Sequence, residues 1–96
     1  MSWNYRVFEI HSKGLSGKDR KHYEIREAYY DNKGKIEAWT ADPISPFGND
    51  FDDLKEDMKF MFEAFKKPVL KVVGDKIVGE IETVYSKKFK MRLRYK

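Results

Sequence analysis

The stretch Trp39-Thr40-Ala41-Asp42-Pro43-Ile44-Ser45-Pro46-Phe47-Gly48-Asn49-Asp50-Phe51 decides the architecture of this 96-residue chain. A strand-like run ends near Ala41, two prolines and a glycine form a turn, and Asn49 or Asp50 is positioned to cap a helix. Strands therefore lead into one helix, which we expect to lie across the sheet. The stretch predicts an architecture but not a chemistry.

Three segments before the helix alternate apolar and polar residues with the two-residue period of a half-buried strand. They cover 3–10, 22–30 and 35–41, with a Gly-containing loop at 11–20 and a turn at 31–34. Strands joined by such short connections are expected to pair as an antiparallel meander.

Apolar residues in the helical segment recur at spacings of three and four, which predicts one continuous stripe: Phe51, Leu54, Met58, Met61 and Phe65. Acidic residues are concentrated at the N-terminal end of this segment, and Lys66 and Lys67 lie at its C-terminal end. The helix dipole favours this distribution of charge. Pro68 prevents continuation of the helix. We expect the stripe to be buried against the sheet.

After the helix, 69–73 and 77–85 are predicted strands around a turn at 74–76. The last segment alternates most clearly, with apolar residues on one face of a predicted strand at Phe89, Met91, Leu93 and Tyr95. The other face would carry cations spaced about 6.6–6.8 Å apart. These are Lys88, Lys90, Arg92, Arg94 and Lys96.

These elements predict a single α+β domain over 1–96: an antiparallel sheet of five or six strands with one helix packed on a face. Residues 1–70 form its β-β-β-α-β core, and residues 71–96 a basic β extension, as a hairpin or meander. The candidate core residues come from both the strands and the helix: Tyr5, Val7, Phe8, Ile25, Ile36, Leu54, Met58, Met61, Phe65, Ile81, Met91 and Leu93.

The amino-acid composition limits the classes of function that this chain could have. A hydrophobic content of 41% favours a folded domain, and the absence of cysteine excludes disulfides, thiolate metal ligands and a cysteine nucleophile. No apolar run could span a membrane and no signal-peptide pattern is seen, so we expect a soluble, cytoplasmic protein with no membrane partner. The net charge of +4 is concentrated in residues 68–96, with eight Lys/Arg and three Asp/Glu. That excess attracts nucleic acid or simply protects sheet edges.

Residues that could carry catalysis are few. His11 and His22 flank the first loop and supply at most half of a zinc site. A metal-dependent hydrolase would require both to lie near a carboxylate, whereas solvated surface histidines are the simpler interpretation. No nucleophile elbow or phosphate-binding loop is found. We therefore predict a non-enzymatic protein with no catalytic residue, metal, cofactor or implied small-molecule substrate.

Four motifs carry a resemblance to a known family: the tetrapeptide Trp3-Asn4-Tyr5-Arg6, Tyr29-Tyr30-Asp31, the Trp39–Gly48 stretch and Lys67-Pro68-Val69-Leu70. Together they resemble a family of short bacterial proteins that open with that tetrapeptide and have no assigned activity. The resemblance covers roughly residues 3–70.

More distantly, the order β-β-β-α-β, with Gly48-Asn49-Asp50-Phe51-Asp52-Asp53-Leu54 entering the helix, is similar to the partial RNase H-like domain of HicB-type antitoxins. That resemblance implies binding and inhibition of a small RNA-cleaving toxin. The loop at 42–46 departs from the family's Asp-Leu-Pro-Gly signature, and no DNA-binding helical motif follows, so operator binding is not implied.

The leading hypothesis is therefore a protein-interaction module, antitoxin-like or inhibitor-like, that binds a protein partner or self-associates through an edge strand. The alternative is RNA binding through the basic C-terminal strand. Because the aromatic residues of that strand would face away from the cations, such binding would depend on the backbone charge of the RNA and not on its sequence.

Overall fold

The computed structural model describes residues 2–13 and 17–94, with side chains described as far as Phe89. Five strands and two helices follow one another along the chain: β1 (Ser2–Lys13), β2 (Asp19–Tyr30), β3 (Ile36–Trp39), α1 (Phe51–Phe62), β4 (Val69–Val73), β5 (Lys76–Ile81) and α2 (Val84–Arg94). A 3₁₀ turn, Glu63–Lys66, extends α1. The predicted α+β class is confirmed, as is a helix packed on one face of the sheet.

The sheet has the strand order β3-β2-β1-β4-β5. β1 and β2 form a long antiparallel hairpin, paired from Ser2–Tyr30 to Lys13–Asp19, so much of the loop predicted at 11–20 is strand. Residues 14–16 of that loop lie outside the described residues. β4 runs parallel to β1, and β5 antiparallel to β4. The sheet is thus mixed and not wholly antiparallel, because the connection through α1 returns the chain to the free edge of β1 in the same direction.

The alternation of β1 places two apolar clusters on opposite faces of the sheet. On the α1 face, Tyr5 and Val7 pack with Met61, Ala64 and Val69. On the other face, a second cluster contains Phe8, Ala28, Leu70 and Val72. Side chains from both edge strands join this second cluster, which indicates that the sheet curls around it: Ile36 and Trp39 from β3, and Ile77 from β5.

The core prediction is correct for β1 and only partly correct elsewhere. Tyr5, Val7, Phe8 and Met61 are buried, and Ile25 and Ile36 are half-buried. The predictions that fail are those for side chains left 37–52% exposed: Leu54, Met58, Phe65 and Ile81. The side chains of Met91 and Leu93 lie outside the described part of the chain.

Local interactions fix the start of α1 as the sequence predicts. The Asp50 carboxylate accepts a hydrogen bond from the backbone N–H of Asp53 at 2.8 Å, which makes Asp50 the N-cap. The turn before it needs Gly48, since a β-carbon there would lie 2.2 Å from the backbone nitrogen of Leu54. These contacts set where the helix leaves the loop.

The C-terminal segment is a helix and not the predicted basic β extension. Thr83 and Ser86 cap α2 reciprocally: the Ser86 N–H donates to Thr83 Oγ1 at 3.0 Å, and the Thr83 N–H donates to Ser86 Oγ at 2.8 Å. Lys, Arg, Met and Leu, which fill the segment, are strong helix formers. The alternation of apolar and basic residues in this segment therefore does not reflect a strand.

Within the described residues, neither helix has the length and apolar character that crossing a bilayer requires.

Candidate functional site

Helix α1 is turned about its axis relative to the orientation predicted from its stripe. The Tyr5 hydroxyl donates a hydrogen bond to the Asp57 carboxylate at 3.1 Å, and the Phe60 ring lies edge-on to the rings of Tyr5 and Trp3, with centroids 5.3 and 5.6 Å away. Together with buried Met61, these residues define the side of α1 that faces β1. The remainder of the apolar stripe therefore lies to one side of that surface and is not buried against the sheet.

Five residues that remain solvent-exposed form what we call the α1 stripe: Phe51, Leu54, Met58, Phe62 and, in the 3₁₀ turn, Phe65. Their exposed fractions range from 39% to 79%. Single exposed apolar residues are ordinary on protein surfaces, whereas a large contiguous apolar patch is typical of a binding surface, a ligand groove or an aggregation-prone surface. The expectation that this stripe is buried against the sheet is wrong, since Met61 alone of the predicted stripe is buried.

The C-terminal half of the α1 stripe forms one wall of a cleft of about 490 Å³. Val7 and Ile25 of the sheet also line it, together with Ile44 and Pro46 of the loop before α1. The Ile44 N–H donates to the Ile25 carbonyl at 2.9 Å, which holds that loop along β2. The stretch that decides the architecture thus also builds the cleft.

A second apolar hollow of about 340 Å³ continues the first one toward α2. Val7, Phe62 and Phe65 line both hollows, and the lining of the second also includes Val69 and Tyr85. The Phe62 ring lies 6.2 Å from the Tyr85 ring. The α1 stripe therefore belongs to an apolar surface that extends from the N-terminal end of α1 to the start of α2.

The polar border of the α1 stripe is basic. At about 100° per residue, Lys55 and Lys59 follow the stripe on the side of α1 that lies away from the sheet, and Lys66 follows in the 3₁₀ turn. Lys59 pairs with Glu56 at 3.3 Å and Lys66 with Glu63 at 2.8 Å. The Lys59–Glu56 pair is exposed on both sides, whereas the Lys66 side chain is half-buried and its Nζ lies 4.7 Å from the Phe89 ring centroid. Exposed pairs contribute little energy and exchange readily with another carboxylate.

A buried carboxylate, Glu9, lies beside the cleft. It is 6% exposed, accepts a hydrogen bond from the Tyr23 hydroxyl at 2.7 Å and pairs with His11 Nε2. The hydrogen bond from Tyr23, and then that from His11, lowers the pKa of Glu9, and the same carboxylate raises the pKa of Tyr23. Tyr23 also lines the cleft, so the hydrogen bond to Glu9 fixes the position of the Tyr23 hydroxyl at the edge of the cleft.

The two histidines do not form a common site. In the β1–β2 register, Ile10 pairs with His22 and His11 pairs with Lys21, which places the histidines on opposite faces of the sheet. His22 lies 3.7 Å from Glu24 on its own face. Among the described residues, no three His, Cys, Asp or Glu side chains cluster as a metal site would require.

The basic strand proposed for RNA binding is not formed either. The backbone of helix α2 includes the positions of Lys88, Lys90, Arg92 and Arg94, and Lys96 lies outside the described residues. In a helix, a two-residue spacing advances by about 200°, so these positions do not share one face. The geometry on which the RNA-binding hypothesis rested is therefore absent from the described part of the segment.

No protein-family model, curated protein or solved structure matches the chain.

Proposed function

We propose that the chain is a protein-interaction module whose α1 stripe receives an amphipathic segment of a protein partner. The observation that carries this proposal is the contiguous exposure of the α1 stripe next to an apolar cleft. Leaving large aromatic side chains in water offers the isolated domain no hydrophobic stabilisation, whereas covering them on binding does.

The surface also selects the chemistry of the partner. Apolar side chains spaced three and four residues apart on a helical segment would fill the cleft, as in helix-in-groove recognition. Acidic residues beside those anchors would meet Lys55, Lys59 and Lys66. The expected partner segment is therefore apolar on one side and acidic along its edge.

The resemblance to HicB-type antitoxins supports a more specific form of the proposal. The element order on which that resemblance rests, three strands, a helix and a further strand, is that of β1 to β4 with α1. A small RNA-cleaving toxin is accordingly the first partner class to test, and it would have to present an acidic, apolar segment. The chain would then act as an inhibitor-like binding domain.

The test compares wild-type chain with a double variant, Phe51→Asp and Met58→Asp, as baits in extracts of the native host. Both side chains are more than half exposed, so their loss should leave the fold intact. The control is Val84→Asp, which adds one aspartate at an apolar residue that is 84% exposed and lies outside the α1 stripe. Partners that are recovered are then purified, and binding is measured by calorimetry.

We expect one stoichiometric protein that is retained by wild type and by the Val84→Asp control and lost by the double variant. Reversal of the border charges, Lys55→Glu with Lys59→Glu, should weaken the purified complex at least roughly two- to thirtyfold, since two rim pairs contribute about 0.2–1 kcal/mol each and reversal adds repulsion. Recovery of no stoichiometric partner, recovery that nuclease abolishes, or a homodimer abolished by the double variant would each contradict the proposal.

A further inference from the structure

On the sheet face opposite α1, the curled strands form an open concavity of about 810 Å³, to which all five strands contribute. Its apolar lining includes Trp39, Leu70 and Ile77. Ligand pockets have volumes in the range of about 300–1,000 Å³ and combine such apolar walls with a few polar groups. This concavity is separate from the α1 stripe, so what it binds is independent of the function proposed above.

Arg6 lines the concavity and is unusually buried for a cation, at 5% exposure. Of its five N–H groups, one donates to the Tyr30 hydroxyl at 3.0 Å and one to the Pro68 carbonyl at 2.7 Å, both of them uncharged acceptors. Its Nε–H has no acceptor among the described residues. A buried charge with unused donors is costly unless an anion compensates it.

The carboxylate available to Arg6 is poorly placed to provide that compensation. Glu80 Oε1 lies 3.6 Å from the Arg6 terminal nitrogen, which is longer than a hydrogen bond, and the Glu80 side chain is 56% exposed. A solvated carboxylate at this distance is easily exchanged for another oxyanion.

Two further cations stand on opposite sides of the concavity. Lys35 lies in the connection immediately before β3, and Lys76 begins β5, so one lysine lies at each edge of the sheet. The lining residues thus carry three positive charges, from Arg6, Lys35 and Lys76, and one negative charge, from Glu80. The field inside the concavity favours anions.

We propose that this concavity binds a small organic anion that joins a carboxylate or phosphate to a planar apolar ring. The oxyanion takes the place of Glu80 beside the terminal N–H groups of Arg6, with Lys35 and Lys76 adding attraction. The ring packs against Trp39 and Ile77. An anion without a ring, or a ring without a charge, is expected to bind more weakly, because the lining offers cations for the anion and apolar side chains for the ring.

Glu80 distinguishes ligand binding from a purely structural ion pair. If Glu80 competes with the ligand, its replacement by glutamine strengthens binding; if Arg6 and Glu80 merely hold strands together, the replacement does nothing for a ligand. Lys35→Glu and Lys76→Glu test the attraction, and Lys33→Glu, an exposed position in the same connection that does not line the concavity, is the matched control.

Binding is followed by ¹⁵N–¹H NMR of the full chain, with phenyl phosphate and benzoate as ring-bearing anions, inorganic phosphate as the anion alone and benzyl alcohol as the neutral ring. The readout is the indole N–H of Trp39, identified by comparison with a Trp3→Phe variant because the chain has two tryptophans. The Nε–H resonance of Arg6 provides a second probe. The stronger of the two ring-bearing anions identifies phosphate or carboxylate as the preferred group.

We expect saturable shifts of the Trp39 indole with at least one ring-bearing anion, and markedly weaker binding of inorganic phosphate and benzyl alcohol. Glu80→Gln should raise the affinity roughly two- to fivefold, and Lys35→Glu or Lys76→Glu should lower it by about the same factor, as exposed charge pairs do. Lys33→Glu should leave it unchanged.

The proposal is overturned if no ring-bearing anion saturates with wild type or Glu80→Gln. It is equally overturned if Glu80→Gln leaves the affinity unchanged or lowers it, or if the shifts fall on α1 and not on Trp39.

Discussion

Met58 and Met61 are one turn apart on α1 and separate the two sides of the helix, because Met58 is 52% exposed and Met61 is 4% exposed. Replacing Met61 by alanine removes a fully buried side chain and leaves a cavity beside Val7 and Val69, a change that costs about 2–5 kcal/mol. Met58→Ala forfeits about half of the roughly 1.5–3 kcal/mol that complete burial supplies, and so should cost about 1 kcal/mol.

Urea unfolding monitored by far-ultraviolet circular dichroism measures both free energies on the same scale. Met61→Leu is the control, because it nearly conserves volume and should cost less than about 1.5 kcal/mol. Equal losses for Met58→Ala and Met61→Ala, or a larger loss for Met58→Ala, would show that the helix is seated with its whole stripe on the sheet, and would refute the rotated orientation.

Three further outcomes follow from local contacts. Burial and the hydrogen bond to Asp57 raise the pKa of Tyr5 to about 12. The contribution of Tyr5 to the free energy of unfolding is therefore full below pH 10 and is lost as the pH rises toward 12. In urea titrations over that pH range, wild type should lose up to about 2–3 kcal/mol more than Tyr5→Phe. The lowered pKa of Glu9, held mainly by Tyr23, gives stability that is present above about pH 4.5 and lost below it, so Glu9→Gln should flatten the acid limb of the same curve. Thr83→Ala removes the cap of α2 and should cost about 0.5–2 kcal/mol, seen as faster amide hydrogen exchange in that helix.

The sequence was sufficient for the elements whose signals are local. The alternation of β1 predicted Tyr5, Val7 and Phe8 as core, and the cap at Asp50 predicted where α1 begins. Capping, turn chemistry and strand period depend on residues a few positions apart, and no tertiary contact is needed to recognise them.

The orientation of α1 could not be obtained from its own periodicity. The stripe is wide, and which side faces β1 is decided by partners distant in sequence: Tyr5, which binds Asp57, and Trp3, which packs on Phe60. A helix with apolar residues over so wide an arc can be seated in more than one rotation. The exposed remainder became visible as a surface only in the structure.

The prediction of a strand in the C-terminal segment was wrong for a different reason. Alternating Lys/Arg and apolar residues satisfy the strand pattern, but the same residues favour helix, and Thr83 and Ser86 provide a reciprocal cap that the pattern does not consider. The Thr-x-x-Ser motif at 83–86 was the sequence signal that could have predicted the start of a helix. The position of β4 beside β1, and with it the concavity that contains Arg6, depends on long-range pairing that no local pattern encodes.

The most direct test of the central claim, that the α1 stripe is open in the free chain and covered by a partner, is the oxidation of methionine by hydrogen peroxide, resolved by peptide mass spectrometry. In the free chain, Met58 should oxidise quickly and Met61 slowly, because only the former is exposed. In a purified complex with the partner, Met58 should become protected while Met61 stays unchanged. Slow oxidation of Met58 in the free chain, or undiminished oxidation in the complex, would contradict the claim.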